Sequence, residues 1–369
     1  MPSKVYFTDM RSNTEINLLQ KLKKLIMSAG IDKINFKRQF TAIKIHFGEP
    51  GNLAYLRPNY SKVVVDLVKE LGGRPFLTDS NTLYVGRRRD ALEHLDAAYE
   101  NGYNPFCTGC HIIIADGLKG SDEVLIPVKN GEYVKEAKIG SAIANADVVI
   151  SLSHFKGHES MGFGGAIKNL GMGSGSRAGK MEMHSDGKPH VDESVCVGCG
   201  HCAASCAHDA IDLTSGKAFI DQKKCVGCGR CISACSLDAV QPNWEGAVDV
   251  LCKKTAEYAL AAVQGKPNFH ISLVIDVAPF CDCYANNDAA ITPDIGFFAS
   301  YDPVALDQAC ADAVSKAPII KGTYLDEKVH GDRCDDPFHA MHEVTRWQTT
   351  LEHAEKIGLG TRDYELIKV

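Results

Sequence analysis

The stretch "TAIKIHFGEPGNLAYLRPNYSKVVVDLVKELGGRPFLTDS", Thr41 to Ser80, decides the fold. "TAIKIHFG" reads as a strand that ends on a glycine. "YSKVVVDLVKELGG" places Val64, Leu67, Val68 and Leu71 at i, i+3, i+4 and i+7, one apolar helical face, before a Gly72–Gly73 stop. "RPFLTDS" is a strand again. A strand, a helix and a strand in succession imply a parallel sheet with the helix packed across it.

The same alternation extends in both directions. Towards the start, "KVYFTD" is a strand, and "SNTEINLLQKLKKLIMSAG" is a helix with Leu18, Leu22 and Leu25 on one face. Ser12 and Glu15 have the spacing of a capping box for that helix, and Gly30 stops it. Further on, "RRRDALEHLDAAYENGY", "HIIIADG" and "ANADVVISLSHF" give helix, strand and strand. The pattern returns with a helix in "AVDVLCKKTAEYALAAV" and a long apolar strand in "FHISLVIDVAPF". It closes on "YDPVALDQACADAVSKA", with Asp302 as N-cap and Pro303 at the first helical position. The expected fold class is α/β, a mainly parallel sheet covered by helices. Residues 1–187 and 245–369 form its two parts, interrupted by an α+β insertion at 188–244. Ligands of open α/β sheets sit beyond the carboxyl ends of the strands, so the loops after Ile45, Leu152 and Val277 are where a site is expected.

Composition narrows the class. Of 369 residues, 45% are hydrophobic and 23% charged, the balance of a globular protein. A net charge of −6 and a pI of about 6.2 supply no basic field for nucleic acid or anionic lipid. The one tight basic run, Arg87-Arg88-Arg89, opens a helix and reads as a solvated face. "MPSKVYFTDM" lacks the layout of a signal peptide, and no apolar stretch reaches membrane-spanning length, so a cytoplasmic location without membrane contact is expected.

Fifteen cysteines are too many for packing alone in such a chain, and their spacing favours metal ligation over disulfides. "VDESVCVGCGHCAASCAHDAIDL" and "IDQKKCVGCGRCISACSLDAVQP" repeat at an offset of 29 residues, and each carries C-x2-C-x2-C-x3-C. This segment resembles the bacterial two-cluster ferredoxin domain. The resemblance implies an α+β module holding two [4Fe-4S] clusters, in which the fourth cysteine of each motif serves the other centre. Cys196, Cys199, Cys202 and Cys235 would hold one cluster; Cys225, Cys228, Cys231 and Cys206 would hold the second. The proline usual after the fourth cysteine is replaced by Ala207 and Ser236. Zinc ribbons also use paired C-x2-C, but they leave the eight-cysteine symmetry unexplained.

Between core and insertion lies "SHFKGHESMGFGGAIKNLGMGSGSR", Ser153 to Arg177. Clustered glycines let backbone amides approach an anion, so Gly162, Gly164, Gly165 and Gly171, with Asn169, are candidates to hold a cofactor or anionic small molecule. Lys156, Lys168 and Arg177 add positive charge, and His154 and His158 are candidates for proton transfer or metal ligation. The loop matches neither a Walker A sequence nor a dinucleotide fingerprint, and a plain crossover between core and insertion is the competing reading. Cys281 and Cys283 in "FCDCYAN" follow a strand, and C-x-C turns both side chains to one side of an extended segment. With Cys107 and Cys110 in "FCTGCH" they read as a third metal centre, as a redox dithiol, or as unrelated thiols. His46 in "KIHFGEPGN" joins the candidates by its place after a strand. Cys252 and Cys310 fall in helical patterns and read as core; His330, Cys334, His339 and His342 read as a polar surface loop.

Outside the insertion, "KIHFGEPGN", "SLSHFKGHESMGFGGAIKNLGMGSGSR", "CDC" and "IGFFASYDPVALDQACAD" resemble family 362 of the domains of unknown function, whose members often carry a ferredoxin module. That resemblance implies an iron-sulfur protein with an unassigned catalytic domain. "GFGGAIK" is also similar to the "GYSGGxK" segment of the nickel-pincer lactate racemases, where the lysine anchors a nicotinate-derived nickel cofactor, which would point to Lys168. The reading that joins these features is an oxidoreductase passing single electrons from a soluble donor protein through two clusters to a site beside the glycine-rich loop. There Lys168, Lys156 and backbone amides would hold an anionic group or an unidentified organic cofactor. A non-enzymatic electron carrier and a cofactor-dependent isomerase with structural clusters are the alternatives.

Overall fold

The computed structural model describes residues 2–84, 86–185, 188–206, 208–213, 216–225, 227, 229–242 and 248–369. Eight strands form the central sheet: β1 (Ser3–Asp9), β2 (Phe40–Lys44), β3 (Arg74–Asp79), β4 (Ile112–Ile114), β5 (Val148–His154), β6 (Asn268–Val274), β7 (Gly296–Ser300) and β8 (Tyr364–Lys368). Their order is β8-β1-β7-β6-β5-β2-β3-β4. All neighbours pair in parallel except β7, which runs antiparallel to both β1 and β6. The fold is therefore α/β with a mainly parallel sheet, as the alternating pattern requires.

Helices cover both faces. On one side α1 (Leu18–Ser28) and α2 (Pro58–Glu70) bury Leu22, Leu25, Ile26, Val64, Leu67 and Val68 against Ile43, Ile150, Leu152 and Ile271. The α3 helix (Ala91–Glu100) follows β3. On the other side lie α4 (Ala166–Ser174), α6 (Val248–Val263), α7 (Pro303–Lys316) and α8 (Trp347–Lys356), with α5 (Arg177–Ser185) directly after α4. Alternate residues of one strand serve the two cores: Val149 joins the α6–α7 side while Val148, Ile150 and Leu152 join the α1–α2 side. Every residue of β5 is buried, as expected for a central strand covered on both faces. Cys252 and Cys310 are fully buried in helices, in line with their reading as core.

Three local expectations need correction. The capping box of α1 is Asn17 with Gln20, whose side chains and backbone amides exchange hydrogen bonds of 2.9 and 3.0 Å; Ser12 and Glu15 lie in the turn before it. The strand drawn through Phe280 ends at Val274, because Asp276 takes a left-handed φ of 46° and turns the chain out of the sheet. Arg88 is not a solvated residue. Only 1% exposed, it pairs with Glu49 through Nε at 2.8 Å, whereas Arg87 beside it faces outward to Glu93 and Glu100.

The cysteine-rich segment builds two small antiparallel pairs, Pro189–Val191 with Val240–Pro242 and Ile211–Asp212 with Phe219–Ile220, and two short helices, His201–Ala204 and Arg230–Ala234. It has a buried cluster of its own made of Cys196, Cys202, Ala218, Ile220, Cys231, Cys235, Ala239 and Val240. An ion pair of 3.0 Å between Arg89 and Asp238 ties it to the sheet domain, and Gly229 lies against the side chains of Arg177 and Met181 on α5. Ala207 and Cys228, and the expected joins near 187 and 244, lie outside the described residues. No helix among those residues is long and apolar enough to cross a membrane.

Candidate functional site

Three neighbouring parallel strands, β2, β5 and β6, deliver their carboxyl ends to one place. Lys44 closes β2 with His46 just beyond, and His154 closes β5. A short hairpin, Lys156–His158 with Gly162–Gly164, leads from β5 into α4, which carries Lys168 and Asn169. The segment after β6 carries Cys281, Asp282 and Cys283. All of these side chains but those of Cys281 and Asp282, which lie just beneath, border a cavity of about 790 Å³ that Asp79, Tyr84, Arg88, Lys180, His184 and Gln241 complete. That volume suits a small-molecule ligand.

The centre of the site is a sulfur pair. Cys281 Sγ and Cys283 Sγ lie 2.6 Å apart, and Lys168 Nζ donates to Cys281 Sγ at 3.0 Å. Burial alone would push the Cys281 thiol up. The hydrogen bond from Cys283, the Lys168 ammonium and a hydrogen bond from His158 outweigh it and hold that thiol well below its usual value. Cys283 moves the other way, raised by its hydrogen bond to Cys281 and by burial. Both shifts and the contacts run the same way: negative charge is favoured on Cys281, which accepts from Lys168 and Cys283, and the proton on Cys283.

A His158 ring nitrogen and the two sulfurs all lie within 4.8 Å of one another, close enough to share one metal ion. His158 Nδ1, however, accepts the backbone amides of Ser160 and Met161, both at 3.1 Å, which puts the ring proton on Nε2. A metal-bound imidazole needs the reverse, a free Nε2 and an Nδ1–H facing an acceptor. As built, His158 is a donor to the thiolate.

Asp282 points away from the sulfurs and organises the wall behind them. Fully buried, it accepts from His154 Nδ1 at 2.9 Å and Lys156 Nζ at 3.2 Å, and these two donors hold its carboxyl low against the cost of burial. The other His154 nitrogen meets the Ile275 carbonyl at 2.8 Å, so both are engaged. Lys156 and Lys168 are thus matched to Asp282 and Cys281: the anion that Lys168 meets is the thiolate itself. Next to it, Lys44 Nζ bonds Asp79 and Asn169, both at 2.8 Å. Asn169 also ties its amide to the Lys44 and Leu152 carbonyls and to Ser153 Oγ.

His46 is held in the unprotonated state by burial and by Arg88, whose Nη1 lies 2.9 Å from its Nε2. Arg88 also donates to Tyr84 Oη at 3.1 Å, and Tyr84 in turn hydrogen-bonds Cys283. Two buried oxygens that border the cavity, Ser80 Oγ and Glu159 Oε2, have no hydrogen-bond partner among the described residues.

Close packing accounts for two of the glycines, Gly165 and Gly171. Gly164 and Gly165 border the cavity, but Gly162 and Gly171 do not. A Cβ on Gly165 would collide with the Asp307 carboxylate, which accepts the first amides of α4 from Ala166 at 2.7 Å and Ile167 at 2.9 Å. A Cβ on Gly171 would run into the Thr255 carbonyl, where α4 and α6 touch. Cys107 is exposed and Cys110 buried beneath it, and neither borders the cavity. Sequence reasoning missed Arg88, Tyr84, Asp79, Asp282 and Glu49. Of these only Asp282 carried a local signal, as the residue between two cysteines.

In the cysteine-rich segment, Cys196, Cys199, Cys202 and Cys235 line one small cavity. Cys196 Sγ accepts the amides of Gly198 and Ala218 at 3.4 Å, Cys235 Sγ that of Ala239 at 3.2 Å, and Cys206 Sγ that of Ala210 at 3.4 Å. Amide donors aimed at cysteine sulfurs fit an iron-sulfur cluster, whose potential such hydrogen bonds tune.

Fold and site together define an α/β protein with a thiol-bearing cavity at the carboxyl edge of its sheet. The chain belongs to the family described as a domain of unknown function, DUF362, which matches residues 41–312. It is similar to the thylakoid-associated protein sll1697 of Synechocystis sp., 29% identical over 127 residues, which are 33% of this chain and 34% of that protein. Among solved structures, the lactate racemase apoprotein from Thermoanaerobacterium thermosaccharolyticum is 11% identical, with a TM-score of 0.38 over 85% of this chain and 58% of its own. A Thermotoga maritima protein is likewise 11% identical, with a TM-score of 0.36 over 80% and 58%. The chain thus spans about a third of its curated relative and somewhat over half of either solved chain.

Proposed function

We propose that this chain is an iron-sulfur oxidoreductase whose substrate is reduced or oxidised at the Cys281–Cys283 pair, with a soluble protein as the electron partner and the cytoplasm as its compartment. The α/β core (1–187 and 245–369) holds the thiol site, and the insertion (188–244) holds two [4Fe-4S] clusters on the eight cysteines assigned above. When bound, the clusters supply single electrons, and two of them match the two-electron demand of a dithiol–disulfide couple. The observation that carries this reading is the Lys168–Cys281 contact of 3.0 Å with Cys283 alongside, in a cavity to which the cysteine-rich segment contributes Gln241. Lys168 and His158 stabilise one thiolate, Asp282 with His154 and Lys156 fixes the backbone between the cysteines, and Tyr84 places a hydroxyl at Cys283.

The test is to purify the protein without oxygen and count about eight irons per chain. The pair is then oxidised, the clusters reduced, and free thiols in the peptide bearing Cys281 and Cys283 followed in time. Appearance of the dithiol as the clusters reoxidise is expected; reduced clusters that never alter the pair would refute the reading. The convergence of His158, Cys281 and Cys283 favours a second reading, a single soft metal ion. Stoichiometric nickel or zinc in the same sample would select it.

A further inference from the structure

The two sulfurs of the pair are not equivalent. Cys283 borders the cavity and is partly exposed, flanked by Tyr84 and Tyr284. Cys281 has no exposure and does not border the cavity; Lys168, whose Nζ lies 3.0 Å from its sulfur, and His158 stand on the cavity wall and cover it. A ligand in the cavity therefore meets Cys283 first, with Cys281 Sγ waiting 2.6 Å away on the protein side.

Resting on the reading that the pair is a thiol redox centre, we infer that Cys283 carries the covalent adduct, that Cys281 resolves it, and that the substrate is a low-molecular-weight disulfide. The disulfide R–S–S–R is attacked by Cys283 sulfur. Cys283 passes its proton to the Cys281 thiolate across the 2.6 Å contact and attacks as the thiolate. The substrate S–S bond breaks, Cys283–S–S–R forms, and the departing RS⁻ takes that proton from Cys281 and leaves as RSH, which returns Cys281 to the thiolate. Cys281 thiolate then attacks the Cys283 sulfur, forming the Cys281–Cys283 disulfide and expelling RS⁻. Two electrons and one proton, supplied through the reduced clusters and solvent, return the pair to Cys283–SH and Cys281–S⁻. The order follows from leaving-group chemistry, because a disulfide opens toward the sulfur that is better stabilised as a thiolate. Lys168 and His158 make their hydrogen bonds to Cys281, the sulfur they stabilise more, so opening leaves the new bond on Cys283 in either direction. The placement of Cys283 on a cavity wall admits a small disulfide and excludes one embedded in a folded protein.

The experiment traps the adduct in the cluster-loaded protein, using 5,5′-dithiobis(2-nitrobenzoate) as the small disulfide and insulin as the protein disulfide. Peptide mass spectrometry separates the site from exposed thiols such as Cys107. Cys281→Ser is expected to retain nitrothiobenzoate on Cys283. Wild type should release it and hold an internal disulfide, and Cys283→Ser should label at Cys281 at least about tenfold more slowly than Cys283 labels in Cys281→Ser. Insulin should give no adduct. Adduct on Cys281 with Cys283 unlabelled would overturn the assignment, as would labelling by insulin. If Cys281→Ser melts early, Cys281→Ala provides the same trap, and absence of any adduct in a folded variant also overturns it. Trapping needs no electron from the clusters. A protein that traps at Cys283 yet never turns over refutes the electron-transfer reading and leaves this one standing.

Discussion

Replacing Lys168 by Met tests the thiolate directly. Methionine keeps the length and most of the volume of the side chain, so α4 keeps its packing. What is lost is one charge-assisted hydrogen bond, at 3.0 Å, from a site where, among the described residues, Lys168 is the one ammonium in contact with Cys281 sulfur and His158 a second donor. Such a bond contributes about 1.5–3 kcal/mol, which converts to roughly 10- to 100-fold in the proton affinity of the sulfur it serves. The sign is upward: the thiolate loses its partner, and the pH at which the pair becomes reactive rises. The assay is the rate of modification of the pair by a small disulfide across pH, read at the peptide level, beside the thermal midpoint of each protein. Lys168→Arg keeps the charge and should hold the profile closer to wild type. An unchanged pH profile in a folded Lys168→Met protein would show that Lys168 does not hold a thiolate, and the site would have to be rebuilt around a metal.

Arg88→Met should cost about 3–5 kcal/mol, because it strands the Glu49 carboxylate beside a buried ion pair, whereas Arg87→Ala should leave the denaturant midpoint where it was. Equal effects would refute the burial assigned to Arg88. Gly171→Ala should destabilise by about 1–3 kcal/mol through the collision with Thr255 and slow thiol modification as α4 shifts; a neutral melt would deny the helix contact. His94 and His270 are fully buried and pulled by burial to about 3, below the value of about 6.5 expected in the unfolded chain. The unfolded chain therefore takes up their protons first, and the stability they contribute, complete above about pH 6.5, is lost as pH falls toward about 3. The urea midpoint should fall over that window, and His270→Asn should flatten the slope.

Much of the scaffold was legible because it rests on local periodicity. The apolar face of α2 and the buried run of β5 are readable residue by residue, and the rule that ligands gather at strand ends selected His46, His154 and Cys281 without any structure. What failed depended on contacts distant in sequence. Arg88 sits in a run that resembles solvated charge, and only its partner Glu49, 39 positions earlier, explains its burial. Ser12 with Glu15 and Asn17 with Gln20 share one spacing, and the choice between them turns on where α1 begins. Glycine is ambiguous in a sequence because small size and backbone freedom look the same. At Gly165 and Gly171 the protein uses the first, for Asp307 and Thr255, where the second was expected.

The scattering of the site along the chain also sets a schedule for its assembly. Lys168 and Cys281 are 113 residues apart, His154 and Asp282 are 128, and Lys44 and Asn169 are 125. At common rates of synthesis Lys168 leaves the ribosome roughly 6–20 s before Cys281. The eight ferredoxin-like cysteines emerge in that interval, so the nascent chain offers many unguarded sulfurs before β6 can seat the pair in its cradle. Surroundings that keep those thiols reduced until β6 is in place leave Cys281 and Cys283 free to find each other rather than a rival sulfur.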